Sequence, residues 1–467
     1  MEVEIHEIKA KAKAKRKRSQ SGRLMAKPSA FRSVEAPEVG DIEDFSSDNV
    51  LLMRSSLLRW YDDHQRVLPW RARSRGNGEE EEEDHAYAVW VSEVMLQQTR
   101  VQTVIEYYNR WMARWPTLRQ LAGATQEEVN EMWAGLGYYR RARFLLEGAK
   151  LIVQEGEFPR TASALRGVRG IGEYTAGAIA SIAFNEAVPV VDGNVVRVIS
   201  RLMAISANPR EAATVKTFWR LAGQLVDPDR PGDFNQAIME LGATLCSKTN
   251  PACDVCPVSN QCRALLLSRS NQSIKVIDYP LKVAKAKQRH DFAAVCVVEI
   301  AEGLDQKLLK ESNSRQTYLL VKRPNEGLLA GMWEFPSVLI DEKETDQSAR
   351  RKMIDKYLKK IFHLDAKSCN VNLREDVGEY VHVFSHIRLH MYVELINLTL
   401  KGGSNLLADG EGSSTITWKS VDDHSIKSIG LTSGVRKVHN MICDFKKKQL
   451  IRRPRTAPRT KNRRPAS

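Results

Sequence analysis

The sequence predicts an all-α region followed by an α+β domain, on three observations. From about Asn49 to Leu267 apolar residues recur at three- and four-residue intervals with few alternating runs, the periodicity of helices that bury one face against their neighbours. Past residue 290 the pattern changes to β-branched and aromatic runs bounded by turn residues, as strands require. Between the two, residues 271–290 carry Lys282, Lys285, Lys287 and Arg289 with Pro280 and little to bury, which reads as a basic linker.

At the start, Lys9, Lys11, Lys13, Lys15, Arg16, Lys17 and Arg18 crowd into a segment poor in apolar residues, so residues 1–48 are expected to be a disordered basic arm. Three glutamates within Met1–Ile8 disfavour an acid-free transit peptide, and there is no signal-peptide apolar stretch. The helical domain is assigned to 49–270. Within it Thr125-Gln-Glu-Glu128, placed before Val129, Met132 and Trp133, predicts a capping box. Gly76–Asp84, with five glutamates and an aspartate, reads as a solvated loop insertion.

After the linker, strands are expected at Ala293–Ile300, Thr317–Arg323, Tyr380–Phe384, Leu389–Ile396 and Thr415–Trp418, with helices over Ala349–Phe362 and Val435–Phe445. This second domain is assigned to 291–445. Residues 446–467 hold ten basic residues and no acidic one, so they read as a disordered basic tail. The two basic ends outweigh the net charge of +14, leaving the rest slightly acidic. Such ends suit a polyanion or a nuclear-import receptor, or act only as solubilising tails. No apolar run approaches the ~20 residues of a membrane span, so no membrane partner is expected, and nothing in the pattern calls for more than a monomer.

Cys246, Cys253, Cys256 and Cys262 are separated by six, two and five residues. A Cys-x-x-Cys core with outer ligands on loops can close four thiolates around zinc or a 4Fe-4S cluster, and spacing does not separate the two. Seven cysteines in 467 residues are too few for a disulfide framework in domains large enough to bury their own cores. Cys296, Cys369 and Cys443 read as buried apolar residues.

Further chemistry is carried by four segments. In Leu165–Gly177 (LRGVRGIGEYTAG), Gly170 and Gly172 permit a sharp turn before a helix that starts near Tyr174, and exposed amides there can hold a phosphate; an ordinary helix-helix turn reads the same way. Asp192 and Asn194 stand at the mouth of the next helix, where capping is the plain role. Glu93, in Ser92-Glu-Val-Met-Leu-Gln-Gln-Thr99, lies inside an apolar helix; burial would raise its pKa and keep a proton available, as a general acid requires. Gly-Leu-Gly-Tyr-Tyr139 turns at least one ring outward.

In order, SEVMLQQTRV, GLGYYRRAR, GIGEYTAGAI, VDGNVVRV, FNQAIMELGA and the cysteine quartet resemble the adenine DNA glycosylase (MutY) family of the helix-hairpin-helix superfamily, over roughly residues 50–265 and more loosely to 443. The resemblance implies a base-excision repair glycosylase that extrudes adenine mispaired with 8-oxoguanine or guanine and cuts its N-glycosidic bond, leaving an abasic site. It implies Glu93 as proton donor to N7, Asp192 as stabiliser of the oxocarbenium-like sugar and Asn194 as an orienting group. Tyr174 takes the place where bifunctional relatives carry a Schiff-base lysine, which implies a monofunctional enzyme. Arg71 and Gln236 are carried over as contacts around the extruded adenine, Gln98 and Tyr138 as residues that enter the stack, Gln97 beside them as a DNA contact, and Thr99 and Leu136 as neighbours of the oxidised guanine. One 4Fe-4S cluster on the quartet is implied in the same way.

Gly327–Pro336 (GLLAGMWEFP) and the surrounding strands resemble a Nudix-like fold, the family's 8-oxoguanine recognition domain, although the helix over 347–362 lacks the paired glutamates of a hydrolase. Phe384-Ser385-His386, at a turn between two predicted strands, matches the recognition loop. Double-stranded DNA with A:8-oxoguanine or A:G mispairs is the implied partner, replication and repair proteins are candidate others, and a nuclear protein with a possible organellar pool is expected. Arg169, where relatives place proline, departs from the pattern. Two rivals remain at this stage: an endonuclease III-like glycosylase for oxidised pyrimidines, and a catalytically silent DNA-binding homologue.

Overall fold

The computed structural model describes residues 42–71, 79–284, 287–301, 316–401, 410–411 and 416–452. The first 41 residues, 72–78, Lys285 and 453–467 lie outside them, so most of the basic arm and tail, and one linker lysine, do too. Helices run α1 (Ser47–His64), α2 (Glu79–Leu96), α3 (Val101–Arg114), α4 (Leu118–Ala122), α5 (Gln126–Trp133), α6 (Arg140–Glu155), α7 (Ala162–Leu165), α8 (Glu173–Ala183), α9 (Gly193–Leu202), α10 (Ala212–Leu225), α11 (Pro231–Thr244) and α12 (Arg263–Ser270). The predicted capping box is present: the Glu128 amide donates to Thr125 Oγ1 (3.2 Å) and the Thr125 amide to Glu128 Oε2 (2.9 Å).

The helices enclose two cores. One is built around Trp90, Trp111, Trp133, Leu121 and Leu145 from α2 to α6, where Trp111 meets Trp133 edge to face at 5.6 Å; burying each such ring contributes roughly 1.5–3 kcal/mol. The other gathers Met53 and Tyr61 of α1 with Val195, Ile199, Phe218, Phe234 and Leu241 of α9 to α11. Helix α8 is flanked by both: Ala176 and Ile179 join the first core, while Ala178 and Tyr174 meet the second. Its small residues allow close approach. A Cβ on Gly177 would stand 2.7 Å from the Pro189 carbonyl oxygen.

The second domain is a mixed sheet of eight strands among the described residues: β1 (Arg289–Ala301), β2 (Gln316–Lys322), β3 (Trp333–Glu334), β4 (Ser337–Ile340), β5 (Cys369–Val383), β6 (Ile387–Leu400), β7 (Gly410–Glu411) and β8 (Thr417–Asp422). The main order is β5-β6-β1-β2-β8-β7, with β3 on β2 and β4 on β1. β1 and β6 run parallel from Arg289↔Ile387 to Ala301↔Thr399. β1 is buried on both faces, so it reads as a continuous apolar run: Ala294, Cys296 and Val298 pack beneath α13 (Gln347–Phe362), while Ala293, Val295 and Val297 meet α14 (Ser433–Arg452). The carboxylate of Glu299, buried on that strand, is paired with Lys446 and accepts from Asn397 Nδ2 (3.1 Å).

The two domains touch directly. Leu329 and Met332, from the GLLAGMWEFP segment, pack into the first helical core. The Arg143 guanidinium donates to the Asn325 carbonyl (3.1 Å) and Lys322 pairs with Glu127 (2.8 Å). Gly430 lies against the backbone of α5, where an added Cβ would stand 2.7 Å from the Glu131 nitrogen.

Four expectations are corrected. Glu79–Asp84 form the first turns of α2 rather than a loop: acidic residues at a helix N-terminus complement the macrodipole, and Glu82 pairs with Arg160. Residues 42–48 are ordered, Ile42 and Phe45 packing on the second core and Ser46 capping α1. Helix α14 continues to Arg452, past the start of the expected tail, with Lys446 held by Glu299. Cys296 and Cys369 are buried as expected, but Cys443 is only half-buried, its sulfur 3.8 Å from Nε2 of His439.

Candidate active site

Glu93 sits on the last turn of α2 and is 6% exposed. Among the described residues one donor reaches it: the Tyr174 hydroxyl, from the first turn of α8, at 2.6 Å from Oε2, with Met239 Sδ 3.3 Å from the same hydroxyl. Burial pushes the Glu93 carboxyl up to about 7, the Tyr174 hydrogen bond opposes this, and the charge of nearby Asp192 adds to it. Burial also holds the Tyr174 hydroxyl well above its ordinary value, so it stays a donor.

Asp192 is the N-cap of α9, and its carboxylate is saturated differently. Oδ1 accepts the amides of Asn194 (2.9 Å) and Val195 (2.8 Å), and Oδ2 accepts Nδ2 of Asn194 (2.8 Å). Burial raises the Asp192 pKa, while these three bonds and the Arg197 charge pull it down. The capping reading and the proximity to Glu93 therefore hold together. One carboxyl has a single donor and the other has three at the positive end of a helix, an arrangement that separates a proton holder from an anion.

The network continues outward. Arg197 Nη2 donates to Asn194 Oδ1 (2.8 Å), Nε to the Cys246 carbonyl (2.8 Å) and Nη2 to the Gly242 carbonyl (2.5 Å). Arg201, 1% exposed, reaches Cys246 Sγ (3.2 Å) and the carbonyls of Cys246 (3.1 Å) and Ser247 (2.7 Å). Cys253 and Cys256 bracket one 3-10 turn and Cys262 caps α12. None of the four sulfurs is in a disulfide, and burial, with the neighbouring cysteines adding to it, raises the thiols of Cys253, Cys256 (to about 12) and Cys262 (to about 11). Four clustered, half-buried thiols with a buried guanidinium on one sulfur form a donor set that fits a thiophilic metal centre.

A cleft of about 1220 Å³ between the domains is lined by Gln97, Gln98, Tyr138, Arg140, Arg143 and Arg169 on one side and by residues 382–386 on the other. Tyr138 is 46% exposed. The loop Phe384–His386 joins β5 to β6 as predicted, and the linker holds it: Gln288 Nε2 donates to the Phe384 carbonyl (2.8 Å) and the Arg289 amide to the His386 carbonyl (3.0 Å). Ser385 Oγ contacts Nδ1 of His386 (3.1 Å). At the hairpin, Gly170 has φ +91°, where a Cβ would meet Cβ of Phe144 at 2.5 Å, and Gly172 is the N-cap of α8. Arg169 lies over the Phe144 ring (5.0 Å) and pairs with Glu147 (3.2 Å).

Other expected residues are placed less directly. Arg71 is tied to the buried Glu240 (2.9 Å) and to the Arg66 carbonyl (3.1 Å), which accounts for its position without a ligand, although its charge is felt at Glu93. Gln236 is half-buried on α11, one turn before Met239 and so on the face that meets Tyr174. Thr99 accepts from Arg141 (3.4 Å). Leu136 belongs to the first core and offers only its carbonyl to that guanidinium, so its side chain is not presented to the cleft. Sequence reasoning missed Arg141, Arg197, Arg201 and Glu240. Glu240 could have been found by the logic applied to Glu93, as an acid inside the apolar run FNQAIMELGA.

Residues 91–224 match the HhH-GPD superfamily of base excision DNA repair proteins and 311–441 match the NUDIX domain. Helical scaffold, buried acid and glycine hairpin thus define a base-excision DNA repair protein. Adenine DNA glycosylases are similar to the chain: that of Arabidopsis thaliana is 55% identical over 423 residues (85% of this chain, 66% of that protein), that of Rattus norvegicus 43% over 406 (79% and 75%), and that of Homo sapiens 45% over 391 (76% and 68%). The chain spans just under two thirds of the Arabidopsis protein's length. The chain belongs to the adenine DNA glycosylase family, enzymes that hydrolyse N-glycosyl bonds in base excision repair.

Proposed function

We propose that this chain excises adenine mispaired with 8-oxoguanine or guanine in duplex DNA, as a hydrolase without strand cleavage. The carrying observation is the pair of unlike carboxyls, Glu93 at about 7 beside a three-fold hydrogen-bonded Asp192. With adenine extruded into the pocket, protonated Glu93 gives its proton to N7, which makes the base a neutral leaving group as the bond from C1′ to N9 breaks. Asp192 remains ionised and stabilises the positive charge that develops on the sugar. Asn194 and Arg197 fix the orientation of that carboxylate. Glu93, now an anion, takes a proton from the water that adds to C1′, and an abasic site results. Tyr174 supplies no amine for a Schiff base; its hydroxyl orients Glu93.

Cys246, Cys253, Cys256 and Cys262 would hold a 4Fe-4S cluster, which when bound replaces the thiol protons and crosslinks the 246–262 loop. Phe384, Ser385 and His386 read the oxidised base across the cleft, with Gln98 and Tyr138 entering the stack and Thr99 beside the lesion. The basic ends suit a nuclear protein acting as a monomer, and replication or repair proteins remain candidate partners. The test is incubation with duplexes carrying A opposite 8-oxoguanine, followed by alkali: breaks at the adenine only after alkali are expected. Breaks at oxidised pyrimidines instead would favour the endonuclease III-like reading, and none at all a silent homologue.

A further inference from the structure

Two turns facing the cleft share an unusual backbone. Gln98, after α2, has φ +56°, and Tyr138, before α6, has φ +49°. Left-handed geometry costs a non-glycine residue of order 1 kcal/mol and persists only where its surroundings impose it. A single side chain reaches both turns. Arg141 Nη1 donates to the carbonyls of Val94 (2.8 Å), Met95 (3.0 Å) and Gln97 (2.6 Å), closing the C-terminus of α2. Its Nη2 reaches Thr99 Oγ1 (3.4 Å) and the carbonyls of Leu136 (3.4 Å) and Gly137 (3.2 Å). The guanidinium also lies over the rings of Trp133 (5.2 Å) and Tyr138 (5.4 Å).

Arg141 is 9% exposed, and among the described residues no carboxylate pairs with it. Its charge is balanced by neutral groups, chiefly carbonyl dipoles, several at the negative end of a helix, with the Trp133 and Tyr138 rings beside them. A buried charge without a counter-ion is a costly way to stabilise a fold, so its geometric effect is the notable return: five carbonyls on two separate turns fixed by one planar fork. A lysine ammonium, with three protons on one atom, does not span both.

We propose that Arg141 is a positioning residue that ties the Gln98 and Tyr138 turns into one two-pronged element, which enters the duplex as a unit. Opening of the stack at the mispair then depends on both prongs together. This rests on the adenine-excision reading above. Helix α2 carries Glu93 five residues before Gln98, so the same clasp fixes the prongs relative to the acid.

The test is a mutant cycle on the full chain, with duplexes bearing 2-aminopurine next to the adenine opposite 8-oxoguanine; its fluorescence reads stack opening apart from cleavage. Gln98→Ala, Tyr138→Ala and the double variant are expected to lose opening to similar extents, each about tenfold, rather than multiplicatively. Arg141→Lys is expected to match them, to add nothing in the double-variant background, and to leave the pH profile set by Glu93 in place. Multiplicative prong effects, full opening by Arg141→Lys, or a further loss in the double background would each overturn the proposal. The prong pair alone decides the matter if Arg141→Lys fails to fold. If the unaltered protein neither opens the stack nor releases adenine, the excision reading itself falls.

Discussion

Glu93 keeps its proton because burial on α2 and the anionic neighbour Asp192 outweigh the opposing hydrogen bond from Tyr174. Its folded value near 7 lies above the ordinary 4.5, so the folded state binds the proton more tightly. The associated stability, roughly 3 kcal/mol at most, is fully present below pH 4.5 and is lost as pH rises through 7. Single-turnover adenine release should fall about tenfold per pH unit above 7, and a flat profile to pH 9 would remove Glu93 as the acid. Glu93→Gln mimics the neutral carboxyl in shape but has no proton to give: duplex binding should persist, base release should disappear, and the Glu93 contribution to stability between pH 4.5 and 7 should vanish from melting curves. Glu93 was legible in the sequence as an acid among apolar neighbours, whereas Arg141 was not, since in GYYRRAR three arginines look alike and only tertiary packing selects the buried one.

Among the elements, the hairpin before α8 is tightly constrained. Gly170 combines φ +91° with Phe144 Cβ 2.5 Å from any added Cβ. Gly170→Ala should lower stability by about 1–3 kcal/mol and weaken DNA binding more than it changes chemistry at saturation; an unaltered melting temperature and affinity would contradict this. Capping and apolar periodicity made α5 and the helices near Glu93 and Asp192 readable in advance. The start of α2 was not, because an acidic run has no apolar period and is held by the dipole and by Arg160. The first half of β5 was also hidden. Its Arg374, Glu375 and Asp376 are polar, and the strand is maintained by pairing with β6 across two irregularities, which no local pattern announces.

At the scale of the whole molecule, the segment GLLAGMWEFP, read as a mark of the second domain, also serves the first. Leu329 and Met332 complete the helical core. Deleting 291–467 should therefore lower the melting temperature of the helical domain as well as reduce discrimination between 8-oxoguanine and guanine. Unchanged discrimination would count against the recognition loop, and unchanged melting against the shared core. The domain seam also contains a gauge. Where Gly430 meets Asn130 and Glu131 there is no room for even a methyl group, so progressively larger residues at 430 act as shims. Each added carbon should splay the jaws by a measurable increment, and plotting mispair selectivity against that separation would give the tolerance within which two independent readings of one base pair must be aligned.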